Sequence, residues 1–447
     1  MATLEDGARI GVIGGGPAGS LFAYFLLTFA RRLDLDVCVD IYEPRDFTKS
    51  GPAGCNMCGG IVSESLVQAL AIDGITLPPS IVQRGIDSYV LHTDTQSLKI
   101  DTPLDEKRIA ALHRGGGPRD ITGRRWRGLD SHLLGLAEEV GAHVHRTRVG
   151  EVGWDDARPQ VRLSDRAETY DLLAFATGVN SNGLQLLDAL GLPARRFRTT
   201  KAYVTEINLG QEVIGQTFGN SMHMFLINIP RLDCAAIIPK GDYVTVCLLG
   251  RDIDKELIGA FFRNPAVRRC FADPAAAREG ACHCSPKINI GETSRPFVDR
   301  IVLLGDCGAT RLYKDGIGAA YRTAKAAART AMFSGVAARD FQKHYWPVYR
   351  SIAHDNRFGL LMFTVVHWIK AIRPLVAAVV TMSAREQAGA PRRRRMSTVL
   401  WDMFTGSAPY REIFLRTLAP PFIVRFVWES CRMAMRRPKP AEEPIHV

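Results

Sequence analysis

Apolar and polar positions alternate over the first fifty residues in a way that predicts a βαβ unit. Arg9 to Ile13 is a short apolar run, about Ala18 to Ala30 has the length and apolar spacing of a helix, and Asp36 to Tyr42 is a second apolar run. A glycine-rich turn separates the first run from the helix. Strands that alternate with helices are typical of a parallel sheet, so the pattern indicates an α/β opening.

The rest of the chain predicts an α/β protein whose nucleotide-binding part is discontinuous. Apolar strands are expected at 170–178 and 300–306, the second followed by an alanine-rich helix from Gly318 to Phe333. Residues 197–250 consist of β-rich runs, and the Pro-Lys-Gly-Asp segment at 239–242 predicts a hairpin turn. The predicted organisation is a Rossmann-like domain with an inserted antiparallel β-sheet substrate domain and a helical C-terminal region. The boundaries are 8–196 and 296–335 for the nucleotide-binding part, 197–295 for the substrate domain, 336–437 for the basic helical region and 438–447 for a disordered tail.

Charge is concentrated near the C-terminus. The chain has 447 residues and a net charge of +11, and residues 339–447 hold 18 Lys and Arg against 8 Asp and Glu. The apolar, aromatic runs 358–368 and 422–428 lie among these basic residues, a composition typical of helices at a bilayer interface. No run reaches the roughly 18 apolar residues of a spanning helix. We therefore expect an anionic membrane surface as a partner and no nucleic acid; the alternative is helices packed on the protein's own core with a solvated basic face.

The N-terminus and the cysteines predict a cytoplasmic protein. No signal peptide is visible in the first residues. Ten cysteines without a secretory context indicate reduced thiols or ligands before structural disulfides. Together with the basic helices, this predicts a location that is cytoplasmic and peripheral on the inner face of the cytoplasmic membrane.

The glycine-rich turn carries a dinucleotide-binding motif. Gly14, Gly16 and Gly19 give the G-x-G-x-x-G spacing, with Pro17 and Ala18 between the last two. The first glycine allows a tight turn, the second lets the backbone approach a pyrophosphate, and the third lets the helix pack on the strand. Glu43 follows the next strand, where a carboxylate would bind adenosine ribose hydroxyls. This favours FAD or NAD over NADP.

The segment 300–328 resembles the second FAD fingerprint of the para-hydroxybenzoate hydroxylase superfamily. The resemblance implies FAD as the cofactor, with Gly305 and Asp306 ending a strand and Asp306 bonding the ribityl or pyrophosphate region. Helix N-terminal groups of Gly316, Ile317 and Gly318 would face phosphate and the flavin. The segment 170–178 is similar to the superfamily's central strand, which ends at Gly178. The segment from Trp126 resembles the family's Arg-x-x-Phe-Asp-x-x-Leu helix, with Trp126 at the arginine position, so Arg125 or Arg127 would supply the FAD contact.

Within the superfamily, the chain resembles geranylgeranyl reductase-type flavoproteins. These carry a Cys-Gly-Gly turn near the isoalloxazine, and here Cys58, Gly59 and Gly60 match it. The hairpin 234–250 is similar to the family's Tyr-x-Trp-x-Phe-Pro segment, although Cys234, Ala236 and Ile238 replace the three aromatic residues that line the family's lipid-binding cavity.

Cys55 and Cys58 admit three interpretations. Cys58 could act as an acid beside the flavin, alone or as half of a Cys55–Cys58 redox dithiol. Cys55, Cys58, Cys282 and Cys284 could instead hold zinc or an iron–sulfur cluster. The third interpretation is packing, which is also expected for Cys38, Cys247 and Cys431.

The function predicted from these features is that of an FAD-dependent oxidoreductase. It would reduce a C=C bond or a quinone-like group of an apolar, isoprenoid- or lipid-like substrate, with electrons from NAD(P)H or a protein donor. Lys314 and Asp315 could set the charge near flavin N1, or form an exposed solvated pair. The alternatives are a flavin monooxygenase of the same fold and an electron-transfer flavoprotein adapter that passes electrons to membrane quinone.

Overall fold

The computed structural model describes residues 3–55, 58–103, 109–119, 126–190, 192, 198–271, 273, 278–389 and 394–435. Its strands are β1 (Ala8–Ile13), β2 (Val37–Tyr42), β3 (Ile61–Val62), β4 (Val82–Ile86), β5 (Ser88–His92), β6 (Ser97–Asp101), β7 (Ile109–Leu112), β8 (His143–His145), β9 (Glu151–Asp155), β10 (Arg158–Arg162), β11 (Ala167–Thr169), β12 (Leu172–Phe175), β13 (Thr199–Lys201), β14 (Tyr203–Asn208), β15 (Ser221–Phe225), β16 (Leu232–Pro239), β17 (Tyr243–Gly250), β18 (Cys282–Cys284), β19 (Lys287–Asn289), β20 (Phe297–Val298) and β21 (Ile301–Leu303). Its α-helices are α1 (Pro17–Arg32), α2 (Glu64–Ile72), α3 (Leu129–Glu139), α4 (Gln211–Thr217), α5 (Lys255–Arg263), α6 (Pro265–Arg268), α7 (Gly316–Phe333), α8 (Ala338–His344), α9 (Trp346–Ala371), α10 (Arg373–Gln387), α11 (Arg395–Thr405), α12 (Tyr410–Thr417) and α13 (Pro420–Met435).

The predicted βαβ opening is confirmed and forms the centre of a six-stranded sheet. The strand order is β20-β21-β12-β1-β2-β8, and β1 pairs in parallel with both β12 and β2. The two distant apolar runs of the sequence therefore lie side by side, because β12 also pairs in parallel with β21. Helices α1, α3 and α7 pack together over one face. The parallel arrangement brings the carboxyl ends of β1, β12 and β21 to one edge.

An antiparallel sheet forms the second layer, as the sequence predicts. Its order is β18-β14-β17-β16-β15-β5-β6, and the predicted hairpin joins β16 to β17. The sheet also includes β5 and β6, which lie within the segment 8–196 assigned from sequence to the nucleotide-binding part. β5 enters by pairing in parallel with β15, over a hundred residues away, and a short apolar run gives no local signal for such a pairing.

The C-terminal helices cover one face of the antiparallel sheet and share a hydrophobic cluster with it. Helices α4, α5 and α6 lie on the opposite face, over a separate cluster. Among the described residues, no single helix has the length and apolar character to cross a membrane, whereas α9 and α10 taken together do, with a bend of 107° between them. The predicted disordered tail, 438–447, lies outside the described residues.

Candidate functional site

A large cavity connects the two sheets. Its volume is about 1060 Å³, and it runs from the glycine-rich turn after β1 to one face of the antiparallel sheet. Ligand sites in proteins usually measure about 300–1,000 Å³, so the volume can hold a dinucleotide together with a second molecule. The predicted site residues that line it are Gly14, Gly16, Pro17, Ala18, Glu43, Cys55, Cys58, Gly178, Asp306, Lys314, Asp315, Gly316 and Ile317.

The three motif glycines have different surroundings. Gly14 has φ +105°, and a Cβ there would lie 2.5 Å from the Ala176 carbonyl oxygen. A Cβ on Gly19 would lie 1.9 Å from the Gly14 oxygen, so only glycine can pack this closely against the turn. Gly19 does not line the cavity. A Cβ on Gly16 would meet no protein atom within 4 Å. The backbone at Gly16 is thus open to the cavity, at the N-terminus of α1, where no side chain caps the helix.

Glu43 is buried at the edge of the same cradle. Its carboxylate accepts hydrogen bonds from the Gly15 N–H at 3.0 Å and from the backbone and side chain of Arg45 at 3.0 and 3.1 Å. These bonds fix the carboxylate and neutralise part of its charge. A second side-chain nitrogen of Arg45 donates to the other carboxylate oxygen at 3.5 Å, so the protein itself supplies four donors to Glu43.

The second predicted fingerprint meets the first across the cavity. Asp306 faces the cavity, and burial raises the pKa of its carboxyl group, opposed by a hydrogen bond from Thr310 and by Arg114. Gly305 has φ +56°, and a Cβ there would lie 3.0 Å from the Ala18 Cβ.

The N-terminus of α7 differs from the expectation at one position. Asp315 caps the helix by accepting a hydrogen bond from the Gly318 N–H at 3.2 Å, and Arg311 donates to Asp315 at 3.1 Å. The Gly318 N–H is therefore occupied by the protein, and Gly318 does not line the cavity. Gly316 and Ile317 remain exposed to the cavity.

Arg114 lies on the cavity wall, whereas Arg127 does not. Its guanidinium makes a bidentate ion pair with buried Asp130, both bonds being 3.0 Å, and it lines the cavity. Burial lowers the pKa of Arg114, but Asp130 and nearby Cys58 outweigh this and raise it. Arg127 is exposed instead and donates to the Ser131 carbonyl on α3, outside the cavity wall. The sequence signal for Arg114 is an arginine at the end of β7, before three glycines.

The Cys-Gly-Gly turn packs against the protein itself. A Cβ on Gly59 would lie 3.0 Å from Cys247 Sγ, and one on Gly60 would lie 1.9 Å from the Leu112 carbonyl oxygen. Gly60 also has φ +73° and donates its N–H to Cys58 Sγ at 3.4 Å. The glycines therefore let the turn lie directly on β7 and β17, and this fixes Cys58 on the cavity wall.

The predicted four-cysteine metal site does not form among the described residues. Cys55 and Cys58 line the cavity, whereas Cys282 and Cys284 lie on β18 outside its wall. No three of these sulfurs come within 4.8 Å of one another in the described part of the chain. All ten cysteines are described and are in the thiol form.

The three cysteines expected in the core have different environments. Cys247 is buried but lines the cavity, and burial raises the pKa of its thiol. Cys38 is partly exposed and Cys431 is exposed, so the prediction of a core position is wrong for both.

Lys314 is half-buried and lies at the cavity wall. Its ammonium group donates to the Phe404 carbonyl and lies 5.1 Å from the Phe404 ring centroid, and burial lowers its pKa. Lys314 and Asp315 are therefore not an exposed solvated pair. Lys314 places positive charge at the cavity, whereas Asp315 serves as a helix cap.

The far wall of the cavity is apolar. It is made by one face of β14, β15, β16 and β17 together with two aromatic side chains from the loop before α7 and from α11. Two of the three positions that replace the family's aromatic residues, Ala236 and Ile238, lie on this wall. Its apolar members are Ala202, Val204, Met222, Ala236, Ile238, Cys247, Leu249, Tyr313 and Phe404.

A buried ion pair lies behind the Cys-Gly-Gly turn. Lys240 is fully buried, and its Nζ donates to Glu206 Oε1 at 3.3 Å and to His113 Nδ1 at 3.4 Å. The same Nζ would lie 3.1 Å from a Cβ on Gly60. The cluster therefore supports the turn from below. No local pattern connects these residues, because they lie in or directly after three strands that are distant in the sequence.

Searches for related proteins found no matching family model and no matching curated protein. Several solved structures have the same architecture. A geranylgeranyl bacteriochlorophyll reductase-like protein from Thermoplasma acidophilum has a TM-score of 0.63 at 14% identity, over 96% of this chain and 100% of that one. A flavoprotein/dehydrogenase from Cytophaga hutchinsonii has a TM-score of 0.60 at 13% identity, over 96% and 99%. The halogenase PltM, in complex with phloroglucinol and FAD, has a TM-score of 0.60 at 12% identity, over 96% and 98%.

The fold is that of FAD-binding flavoproteins. The predicted fold class and the resemblance to the superfamily are therefore confirmed. At 12–14% identity the similarity establishes the fold and does not assign a reaction or a substrate.

Proposed function

We propose that this protein is an FAD-dependent oxidoreductase that reduces a C=C bond or a quinone-like group in an apolar, isoprenoid- or lipid-like substrate. The observation that carries the proposal is the continuous cavity, with a dinucleotide cradle at one end and an apolar wall at the other. The Cys-Gly-Gly turn lies between the two ends.

The cradle fits FAD. Gly16 leaves room for a pyrophosphate at the uncapped N-terminus of α1, and Glu43 is placed to accept ribose hydroxyl groups. Asp306 and the backbone of Gly316 and Ile317 would hold the ribityl chain and the flavin end. Bound FAD, once reduced, supplies the hydride equivalent for the reaction.

The apolar wall would bind and orient the substrate. Its aliphatic and sulfur-containing side chains offer no strong hydrogen-bond partners, so they favour a hydrocarbon over a sugar or an amino acid. Met222 is flexible and polarisable and can adapt to irregular chains. Ala236 and Ile238 are smaller than the aromatic residues that the family carries at these positions, so this end of the cavity would be wider.

Cys58 is the proposed proton donor. Reduction of a C=C bond adds a hydride to one carbon and a proton to the other. Cys58 Sγ lies on the wall between cradle and substrate, held by the Gly60 N–H and flanked by Arg114. The thiol would give its proton to the second carbon, and the positive charge of Arg114 would stabilise the thiolate that remains. A solvent proton would then restore the thiol.

Electrons would reach the flavin from NAD(P)H that docks transiently or from a protein donor. The chain contains one G-x-G-x-x-G unit in a βαβ context, and that unit serves the cradle already described.

The C-terminal helices support docking on an anionic membrane surface. Helices α9, α12 and α13 expose large apolar side chains, among them Trp368 at 65%, Val424 at 68% and Trp428 at 67%. They belong to the segment that carries most of the net positive charge. Apolar side chains that insert among acyl chains and basic ones that meet lipid phosphates together favour an anionic bilayer. A peripheral position on the inner face of the cytoplasmic membrane would supply the apolar substrate.

Anaerobic flavin chemistry tests the proposal. The purified protein is expected to contain FAD, and after reduction with dithionite the flavin should be reoxidised, without oxygen, by menadione or by a geranylgeranyl compound. A protein that binds no FAD would overturn the proposal at its base. FAD that is never reoxidised by either probe would overturn the reductase activity.

The similarity to PltM favours a monooxygenase as the second candidate. The two candidates differ in their use of oxygen. Incubation of the reduced protein with phloroglucinol and labelled O₂ should give no label in the organic product if the chain is a reductase. Incorporation of one labelled oxygen atom into the organic product would establish the second candidate.

A further inference from the structure

Two histidines and a cysteine meet on the side of the antiparallel sheet that faces away from the cavity. His92 is the last residue of β5, His223 is central in β15, and Cys270 follows α6. His92 Nε2 lies 3.0 Å from His223 Nδ1, and Cys270 Sγ lies 3.5 Å from the same His223 Nδ1. All three donor atoms lie within 4.8 Å of one another.

These distances match those between ligands of a tetrahedral zinc ion. With Zn–N of about 2.0–2.1 Å and Zn–S of about 2.3 Å, tetrahedral angles place two nitrogens roughly 3.3 Å apart and nitrogen and sulfur roughly 3.5 Å apart. The two pairs that include His223 Nδ1 are therefore within a few tenths of an ångström of the spacing that an ion between them requires.

The surroundings orient the two rings as ligands. His92 Nδ1 lies 2.7 Å from Ser97 Oγ, so a proton on Nδ1 leaves Nε2 free to coordinate. The His92 ring stacks on Phe225 at 4.5 Å between centroids, and Phe218 packs edge-on against His223 at 4.9 Å. Metal-binding histidines usually make such a hydrogen bond through the second ring nitrogen.

Burial makes the cluster inaccessible to bulk water. His92, His223 and Cys270 are 6%, 8% and 5% exposed. Burial lowers the pKa of His92 to about 3 and that of His223 to about 4. Both rings are therefore neutral at physiological pH, which is the form that binds metals.

We propose that His92 Nε2, His223 Nδ1 and Cys270 Sγ bind one Zn²⁺, with water as the fourth ligand. The ion would displace the thiol proton of Cys270 and tie the segment after α6 to β5 and β15. The sheet separates this site from the cavity, because Met222 of the same strand lines the cavity while His223 points to the opposite face. The ion would therefore lie on the opposite side of the sheet from the cavity and would touch neither the flavin nor the substrate.

A second group of donors, Cys38, Asp40 and His143, serves as the comparison. It is partly exposed, and the Asp40 carboxylate is already engaged by Arg9, His145 and Tyr170. We do not expect zinc there, so Cys38→Ser is the matched control for Cys270→Ser.

Metal analysis of the full-length chain tests the proposal. After equilibration with Zn²⁺ and exhaustive dialysis, the wild-type protein and Cys38→Ser should each retain one zinc per chain, and Cys270→Ser should retain none. Ser97→Ala should weaken zinc binding by roughly 10- to 100-fold, because it removes only the group that orients His92. Retention of no zinc by the wild-type chain, or equal retention by Cys270→Ser, would overturn the proposal.

A crystal of the wild-type protein tests the zinc site even if Cys270→Ser does not fold. Anomalous scattering at the zinc edge should show one peak between His92, His223 and Cys270 after soaking with Zn²⁺. Absence of a peak there, or a peak only at another position, would refute the site.

Discussion

Substitution of Gly16 by alanine separates the folding role of the glycine-rich turn from its proposed role in binding. A Cβ on Gly16 meets no protein atom within 4 Å, and its φ of −68° is accessible to alanine. Alanine is a poorer helix N-cap than glycine but lowers the entropy of the unfolded chain, and these opposing effects are each on the order of 0.5–1 kcal/mol. The free energy of unfolding of the FAD-free protein should therefore change by less than about 1 kcal/mol.

The same methyl group should weaken FAD binding strongly. It would occupy the space through which a pyrophosphate approaches the backbone at the N-terminus of α1. Loss of one charge-assisted hydrogen bond costs roughly 1.5–3 kcal/mol. Since about 1.4 kcal/mol corresponds to a tenfold change, the Kd for FAD should rise roughly 10- to 150-fold.

Fluorescence titration of flavin-stripped protein with FAD measures this Kd, and urea denaturation of the same samples measures stability. Gly215→Ala is the matched control, because its Cβ also meets no atom within 4 Å and it lies on α4, away from the cavity. Gly14→Ala should instead lose stability without FAD, since its Cβ would lie 2.5 Å from the Ala176 oxygen at φ +105°. An unchanged Kd in Gly16→Ala would refute the placement of the pyrophosphate at this turn.

Three further predictions concern other parts of the molecule. Cys58→Ser should keep FAD bound but slow anaerobic reoxidation of the reduced flavin by a geranylgeranyl compound by about 10²-fold or more. Substitution of the exposed Cys431 by serine is the control and should leave this rate unchanged. Equal rates in both variants would show that Cys58 is not the acid. Val424→Glu should reduce co-sedimentation with vesicles containing phosphatidylserine, while Ile72→Glu, which makes the same change at a more exposed apolar residue on α2, should leave it intact; equal binding by both would contradict the membrane surface. Burial and then Lys240 lower the pKa of His113 well below 6.5, so at this group the folded state binds fewer protons than the unfolded state, and His113 alone should contribute a loss of stability of about 1.4 kcal/mol per pH unit as the pH drops below 6.5. Urea midpoints between pH 5 and 7 should show a shallower slope in His113→Gln, and an identical slope would contradict a neutral buried ring.

Local patterns were enough to predict the dinucleotide end of the cavity. The strand, glycine turn and helix at residues 8–32 are contiguous in sequence, and Glu43 follows the next strand at a fixed distance. Asp306 and Gly316 are predicted because the segment 300–328, a strand that ends in Gly-Asp before a glycine-rich helix start, resembles a known FAD fingerprint. Each of these motifs spans about thirty residues or fewer, so it can be recognised without knowledge of the tertiary structure.

The substrate end depended on pairing between distant strands, which the sequence does not specify. Cys247 reaches the cavity because β17 pairs with β14 and β16 in one register, and a shift by one residue would turn it to the other face. Arg114 reaches the cavity and Arg127 does not, because β7 ends beside Asp130 of α3, more than a dozen residues further along the chain. The ion pair between Lys240 and Glu206 likewise follows from the packing of separate strands.

The side chains of β15 point alternately to the two faces of the sheet, so one strand contributes both to the apolar wall of the cavity and to the proposed zinc site. Met222 and Met224 point to the side of the cavity and the C-terminal helices, whereas His223 and Phe225 point to the side of α5 and α6. Because strand side chains alternate between faces, any ligand that fixes His223 also limits movement of the apolar wall one residue away. A zinc ion held by His92, His223 and Cys270 would therefore stiffen the substrate wall without touching the substrate. Removal of zinc should then loosen selection among apolar substrates while FAD affinity, which depends on the opposite end of the cavity, stays constant.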